Sequence, residues 1–398
     1  MAAPRSSPAR LDSLTGLRWF AAFAVFFFHA YPLLHGVPGA NLRGTFSAAT
    51  AGVSFFFILS GFVLAWSWVP QRSARSFWRD RFARIWPNHA VTWLAATLVF
   101  APVAFRAATA RTLFGFPSLT ALGLGQAWIP SQRWYYAGNL VSWSLSCEAF
   151  FYLCFPVIIV AVTRARRPWA LLAGAVGTSF AVAAIGASMS HSLGMWWGYL
   201  FPPARLAEFV AGVVLARLVR EERWPRLPLA AVLAVAVAAV GCARWLPWDL
   251  MYAAGTVVPL GALVATAATA ELAGGARLLR RPWLVRLGEI SFAFYLVHLS
   301  VLYEGLKRIH WRPTGGVRDV GVAVALLAAS MAAAWLLNVA VEQPAQRLLR
   351  SKPRRKPEAA DAPDADARAA NEPAADALAV PTRRTRPLVA AGRERPRR

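Results

Sequence analysis

The apolar residues of this chain run in long blocks, most of about 20 residues, broken by short polar stretches that carry arginine. Ten blocks emerge, near residues 14–34, 51–69, 89–105, 140–163, 169–187, 199–218, 228–246, 251–272, 284–304 and 319–340. A helix of such length crosses the hydrocarbon core of a bilayer with its backbone satisfied internally. The pattern therefore predicts an all-α, polytopic transmembrane bundle of about ten spans. The connection 106–139 is longer than the others and holds a weakly apolar stretch at Leu119–Ile129. It reads as a re-entrant segment or a pocket cover. Arg5 and Arg10 ahead of the first block imitate a signal peptide, but Arg18 interrupts the block and no small-x-small site follows it. This reads as an uncleaved first span.

Arginine is concentrated in alternate connections. The rich set is Arg72, Arg75, Arg79, Arg81 and Arg84; Arg164, Arg166 and Arg167; Arg217, Arg220, Arg223 and Arg226; and Arg277, Arg280, Arg281 and Arg286. The opposite connections are poorer, although Lys307, Arg308, Arg312 and Arg318 dilute the contrast. By the positive-inside rule the rich set is cytoplasmic, and both termini lie on that side. Residues 1–13 are then a cytoplasmic segment and 14–345 the membrane domain. Residues 346–398 are Ala, Pro, Asp and Arg with almost no aromatics, and read as a disordered cytoplasmic tail.

Composition narrows the class. With 57% hydrophobic residues and 18 Trp the chain is a membrane protein, not a soluble enzyme. A formal charge of +24 raises nucleic acid as a partner. The basic residues, however, sit in the connections and the tail, where membrane orientation requires them, so no nucleic-acid partner is expected. Cys147, Cys154 and Cys242 lie in apolar runs and form no disulfide or zinc framework; no metal is expected.

Against this background the ionisable residues inside the blocks stand out. Thr15 to Tyr31 reads T-G-L-R-W-F-A-A-F-A-V-F-F-F-H-A-Y and carries Arg18 and His29. Eleven helical positions make about three turns, which puts both side chains on one face roughly 16 Å apart. Each costs about 2.5–3.5 kcal/mol or more at bilayer depth, so two on one span point to function. His29, Glu148, Arg205 and His298 fall at similar depth in the outer half of the membrane, which predicts one polar pocket. Arg18 lies near the cytoplasmic end, level with F-W-R-D-R-F-A-R-I-W-P (77–87), where Arg81 and Arg84 are i, i+3 neighbours. Guanidinium forks suit phosphate oxygens, and together these arginines point to a phosphate-bearing ligand from the cytoplasm. Histidine is the side chain best suited to take a hydroxyl proton near neutral pH. Glu148 could hold its tautomer or move a proton; spacing does not choose between these roles.

Other residues carry two readings. Ser291, Tyr295 and His298 share a helix face and either line the pocket or form an interhelical cluster. Arg205 and Glu208 at i, i+3 read as an internal ion pair slightly ahead of acceptor binding. Trp143 and Ser144 lie one turn from Glu148, as acceptor contacts or as structure.

The stretch L-R-W-F-A-A-F-A-V-F-F-F-H resembles the Arg-x10-His signature of the membrane acyltransferase-3 family of bacterial O-acyltransferases. The resemblance continues in G-V-S-F-F-F-I-L-S-G-F-V-L (52–64), R-F-A-R-I-W-P (81–87) and W-S-L-S-C-E-A-F-F-Y-L-C-F-P (143–156). It goes on through P-A-R-L-A-E-F-V-A-G (203–212), L-G-E-I-S-F-A-F-Y-L-V-H (287–298) and V-E-Q-P (341–344). It implies transfer of an acyl group, usually acetyl, from acyl-CoA as co-substrate to a hydroxyl, with no bound cofactor. His29 matches the catalytic histidine, as base or acyl carrier. Arg18, Arg81 and Arg84 match the donor-handling arginines, and Glu148 a recurrent acidic position. Cys147 replaces an expected small apolar residue and Phe292 a common Tyr, both away from the expected chemistry; Asn88-His89 follows Pro87 where an aromatic is usual.

The expectation is a multi-pass O-acyltransferase of the bacterial cytoplasmic membrane. Its acceptor would be a sugar, glycan, glycolipid or glycosylated natural product such as a macrolide. The catalytic pair would be His29 and Glu148; Trp143, Ser144, Arg205, Ser291, Tyr295 and His298 would form the acceptor pocket. Proton-coupled transporters also carry intramembrane Arg, Glu and His, but no inverted repeat is visible. A catalytically silent acyl-group sensor is a third reading, against which the presence of both Arg18 and His29 argues. Acceptor identity, chain length and oligomeric state are not readable from sequence.

Overall fold

The computed structural model describes residues 10–34, 41–104, 115–312, 314 and 316–349. The tail expected to be disordered lies outside the described residues from position 350 onward, as does the N-terminal segment up to position 9. Among the described residues there are helices and no strands. Ten long helices carry the architecture: α1 Asp12–His29, α2 Leu42–Trp66, α3 Ala74–Ala104, α4 Trp143–Arg164, α5 Pro168–Ala187, α6 Pro202–Arg220, α7 Leu229–Ala243, α8 Ala254–Leu272, α9 Pro282–Arg308 and α10 Val317–Leu337. Three of them, α5, α6 and α9, open with proline in the first turn, where the missing N–H costs nothing.

Seven helical stretches among the described residues are long and apolar enough to cross a membrane, rather than the ten expected. The three outside that set have physical reasons. Asp12, Arg18 and His29 lower the hydropathy of α1, and Arg75, Arg79, Asp80, Arg81 and Arg84 that of α3. The third, α7, has 15 residues, or about 22 Å of helix. The arginine-rich loop expected before the third block is itself helical, so that 77–87 and the block form the continuous 31-residue α3.

Helix α2 is the axis of the bundle, enclosed by α1, α6, α7 and α8. Its crossing with α6 is the closest. A Cβ placed on Gly212 would lie 1.9 Å from the Ile58 carbonyl oxygen, and one on Gly61 2.0 Å from that of Phe209. Only two glycines facing each other's backbone allow this approach, the small-residue packing expected in lipid. The α1–α9 crossing uses the same device at Gly288, under the Thr15 carbonyl. The amino end of α1 is capped from α8, because Glu271 accepts hydrogen bonds from the Asp12 and Ser13 amides at 3.0 and 2.8 Å.

Peripheral helices turn large apolar side chains outward: Leu153 and Val157 on α4, Phe180 and Ile185 on α5, Val324 and Trp335 on α10. Such a belt is a liability in water and a requirement in a bilayer.

The 115–142 connection is an ordered segment anchored to the bundle, and none of its residues lines the cavities described below. Short helices at Phe116–Leu122 and Gln132–Tyr135 flank a 3-10 turn at Gln126–Trp128. The segment is tied down by His89 Nε2 to the Ala121 carbonyl (2.9 Å), Trp93 Nε1 to that of Ser118 (2.9 Å), and Asn139 Nδ2 to that of Leu296 (2.8 Å). His89, given no role from the sequence, thus anchors this connection.

Candidate active site

Between α1, α2, α3, α4 and α9 lies an inner cavity of about 140 Å³, walled by Arg18, Arg81, Arg84, Glu148, Tyr152 and Tyr295 among others. It opens into a vestibule of about 650 Å³ that shares Arg18, Val63, Arg81 and Arg84 and adds Arg10, Trp66, Asn338 and Gln346. The three arginines singled out in sequence therefore meet in one place. α1 supplies Arg18 and one long helix, α3, supplies the other two. Arg84 is held by Glu342 at 2.5 Å, and its guanidinium sits 5.6 Å from the Phe292 ring. Phe292 is thus part of the cavity wall, contrary to the expectation that it lies away from the chemistry.

Glu148 accepts a hydrogen bond from the Tyr152 hydroxyl at 3.1 Å, and Ser60 lies 3.3 Å from the same hydroxyl. Ser144 and Tyr295 exchange a hydrogen bond of 2.8 Å, and Tyr295 donates to the Val141 carbonyl at 2.8 Å. That pair closes the inner end of the cavity beside Phe56.

His29 is not among the residues lining this cavity. Its Nδ1 lies 3.0 Å from Nε2 of His298 on α9, and the two rings are 5.0 Å apart between centroids. His298 in turn packs against Tyr295 at 6.0 Å. The polar groups thus form a file: arginines, Glu148, the Ser144–Tyr295 pair, then the two imidazoles.

This corrects parts of the sequence-based picture. The partner of His29 is His298, an acceptor-pocket candidate, and not Glu148. Glu148 stands on the arginine side of the Tyr295 layer. Arg205 does not line the cavity: it is fully buried and bonded to Glu208 (2.7 Å), Ser54 (3.0 Å) and the Tyr252 carbonyl (3.1 Å), the internal pair that its spacing favoured. Ser291 is spent on the Gly288 carbonyl of its own helix at 2.8 Å, and Trp143 packs on Tyr199 at 4.5 Å. Neither reaches the cavity. The single expected pocket is therefore split into separate centres.

Sequence reasoning also passed over Glu342 and Asn88. Glu342, 2% exposed, sits in a π turn at Asn338–Glu342, where one extra residue per turn re-aims side chains. Its second oxygen accepts from Asn88 at 2.9 Å. The V-E-Q-P motif and the unusual Asn88 were both visible, but nothing linked them. Among the described residues no three metal-ligating side chains converge.

A family model described as an acyltransferase domain matches residues 11–339. The chain is 37% identical to "Acyltransferase MdmB" of Streptomyces mycarofaciens over 376 residues, covering 89% of this chain and 95% of that protein. It is 29% identical to "Nodulation protein 10" of Rhizobium leguminosarum bv. viciae over 367 residues, covering 83% and 92%. No solved structure matches it.

Proposed function

The chain belongs to the acyltransferase-3 family and is a membrane enzyme that transfers acyl groups, and from that premise we propose how its site works. The donor is acyl-CoA, most simply acetyl-CoA, entering the vestibule from the cytoplasm. The acceptor is a hydroxyl on a sugar, glycan, glycolipid or glycosylated natural product such as a macrolide. The vestibule side of the bundle, both termini and the arginine-rich connections face the cytoplasm, and all ten long helices cross or enter the cytoplasmic membrane. The supporting observation is the file of groups: three guanidiniums at a wide mouth, a narrowing cavity, and an imidazole pair behind its inner wall.

The chemistry follows from group properties. Arg18, Arg81 and Arg84 neutralise donor phosphates through charge-assisted hydrogen bonds, which hold the donor while its acyl arm points inward. His29 takes the proton of the acceptor hydroxyl as that oxygen attacks the thioester carbonyl. The tetrahedral intermediate collapses, the carbon–sulfur bond breaks, and the imidazolium returns the proton to the departing thiolate. With acyl carriage on His29, the same nitrogen attacks first and the hydroxyl second. Glu148, held by Tyr152, balances the arginine charge in the cavity. Ser144 and Tyr295 form the wall that the acyl arm must pass to reach His29.

In proteoliposomes with [14C]acetyl-CoA and a panel of macrolides, glycolipids and glycans, the wild-type protein labels at least one acceptor. His29→Ala abolishes labelling while expression and membrane insertion stay intact. Labelling by that variant at the wild-type rate would remove this mechanism.

A further inference from the structure

The hydrogen bonds around the two imidazoles determine which nitrogens carry hydrogen. Nδ1 of His298 faces two backbone carbonyls, Tyr295 at 2.8 Å and Phe294 at 3.2 Å. A carbonyl oxygen only accepts, so this nitrogen holds the hydrogen and Nε2 of the neutral ring presents a lone pair. That lone pair lies 3.0 Å from Nδ1 of His29. The contact is a hydrogen bond only if His29 Nδ1 donates. With its hydrogen on Nδ1, neutral His29 has a bare Nε2.

Burial divides the two rings in the same sense. His298 is 0% exposed and His29 is half-buried. The sealed ring has both nitrogens committed, whereas the other retains an uncommitted nitrogen and an accessible side.

We infer that His298 is a positioning residue that fixes His29 as its Nδ1–H tautomer and aims Nε2 at the reacting groups. The inference rests on the reading of His29 as the reacting imidazole. When Nε2 takes up a proton, Nδ1 goes on donating to His298, so no hydrogen passes between the rings and His298 stays neutral. A carboxylate in this place would have added a buried charge, which is costly at bilayer depth. An imidazole anchored to helix carbonyls does the orienting without one.

Two measurements on the full-length protein in proteoliposomes test this. Solid-state NMR of protein labelled with 15N in its histidine rings, with His29→Gln to assign the resonances, reads the tautomer without any acceptor. The expected result is a hydrogen on Nδ1 of both rings and a correlation from His29 Nδ1 to His298 Nε2. A hydrogen on His29 Nε2 in the resting protein overturns the inference. The second is acetyl transfer by His298→Gln, His298→Asn and His298→Phe, each checked for acetyl-CoA binding. The Gln amide reaches the place of Nε2, that of Asn reaches only Nδ1, and Phe keeps the ring without an acceptor.

The Asn and Phe variants should lose about 10- to 100-fold in kcat with donor KM within about threefold, as orienting partners elsewhere do. The Gln variant should recover most of that loss. Equal activity in all three overturns the inference while leaving the His29 reading intact. Full activity of His29→Ala removes the reading, with the tautomer still measurable by itself.

Discussion

At the scale of single residues, the arginine mouth is set up by a buried acid. Glu342 binds Arg84 and Asn88 together, so its removal leaves a guanidinium and an amide without their partner. Breaking a fully buried ion pair costs about 3–5 kcal/mol, and the cost here is smaller because Arg84 borders the vestibule. Glu342→Ala is therefore expected to lower the thermal midpoint in detergent clearly, and a wild-type midpoint would count against a role in holding Arg84. Arg84→Ala should act on binding instead. Loss of a charge-assisted hydrogen bond to phosphate, worth about 1.5–3 kcal/mol, predicts a donor KM raised about 10- to 100-fold. An unchanged KM for acetyl-CoA would move the phosphate site elsewhere. By contrast, Arg205 is committed to Glu208, Ser54 and backbone carbonyls. Arg205→Ala should therefore damage folding before it changes acceptor choice.

At the scale of helices, the site depends on how closely backbones approach. The α2–α6 crossing has no room for a methyl group at Gly61 or Gly212, whereas Gly174 on α5 has nothing within 4 Å of where its Cβ would be. Gly212→Ala must push the two backbones apart and should cost at least the 1–3 kcal/mol of ordinary overpacking. Gly174→Ala should be neutral or slightly stabilising, since alanine is the better helix former by about 1 kcal/mol. Thermal unfolding of the two variants side by side checks the pair; equal midpoints would show that the crossing is looser than described. Gly288 at the α1–α9 crossing matters more directly, because those two helices carry His29 and His298. Substitution there is expected to reduce kcat in parallel with stability.

At the scale of the whole molecule, the question is how a file of polar groups is kept inside an apolar bundle. The file is carried by α1, α3, α4 and α9 and packs against the shielded helix α2, while α5 and the far faces of α4 and α10 present apolar side chains outward. Helix α7, too short to span by length alone, is the critical element for topology. In the proposed topology, with both termini cytoplasmic, Arg223 before it and Trp245 after it fall on opposite faces of the membrane. In a cysteine-free background, a membrane-impermeant thiol reagent on whole cells should label Trp245→Cys and not Arg223→Cys. Labelling of both from outside would reverse or collapse the proposed topology.

Much of this was legible in the chain because it is local. A run of apolar residues specifies a helix and its solvent, and an ionisable residue inside such a run marks itself through the cost of burial, as Arg18 and His29 do; the Arg81–Arg84 pair stands out instead by its i, i+3 spacing in a basic connection. The rise per residue along a helix predicts one level for His29, Glu148, Arg205 and His298, whereas Glu148 shares its cavity with Arg18, Arg81 and Arg84 and the two imidazoles do not line it. Depth leaves the direction around each helix undetermined, and direction decides partnership. His29 and His298 are 269 positions apart and met only when α1 packed on α9. Arg205 turned into a closed network, and Glu342 reached Arg84 from a π turn that no local pattern announces. The sequence by itself determined a helical membrane protein and most of its reactive inventory; tertiary packing decided which of those groups touch, because contact depends on helix rotation and crossing that no single segment encodes.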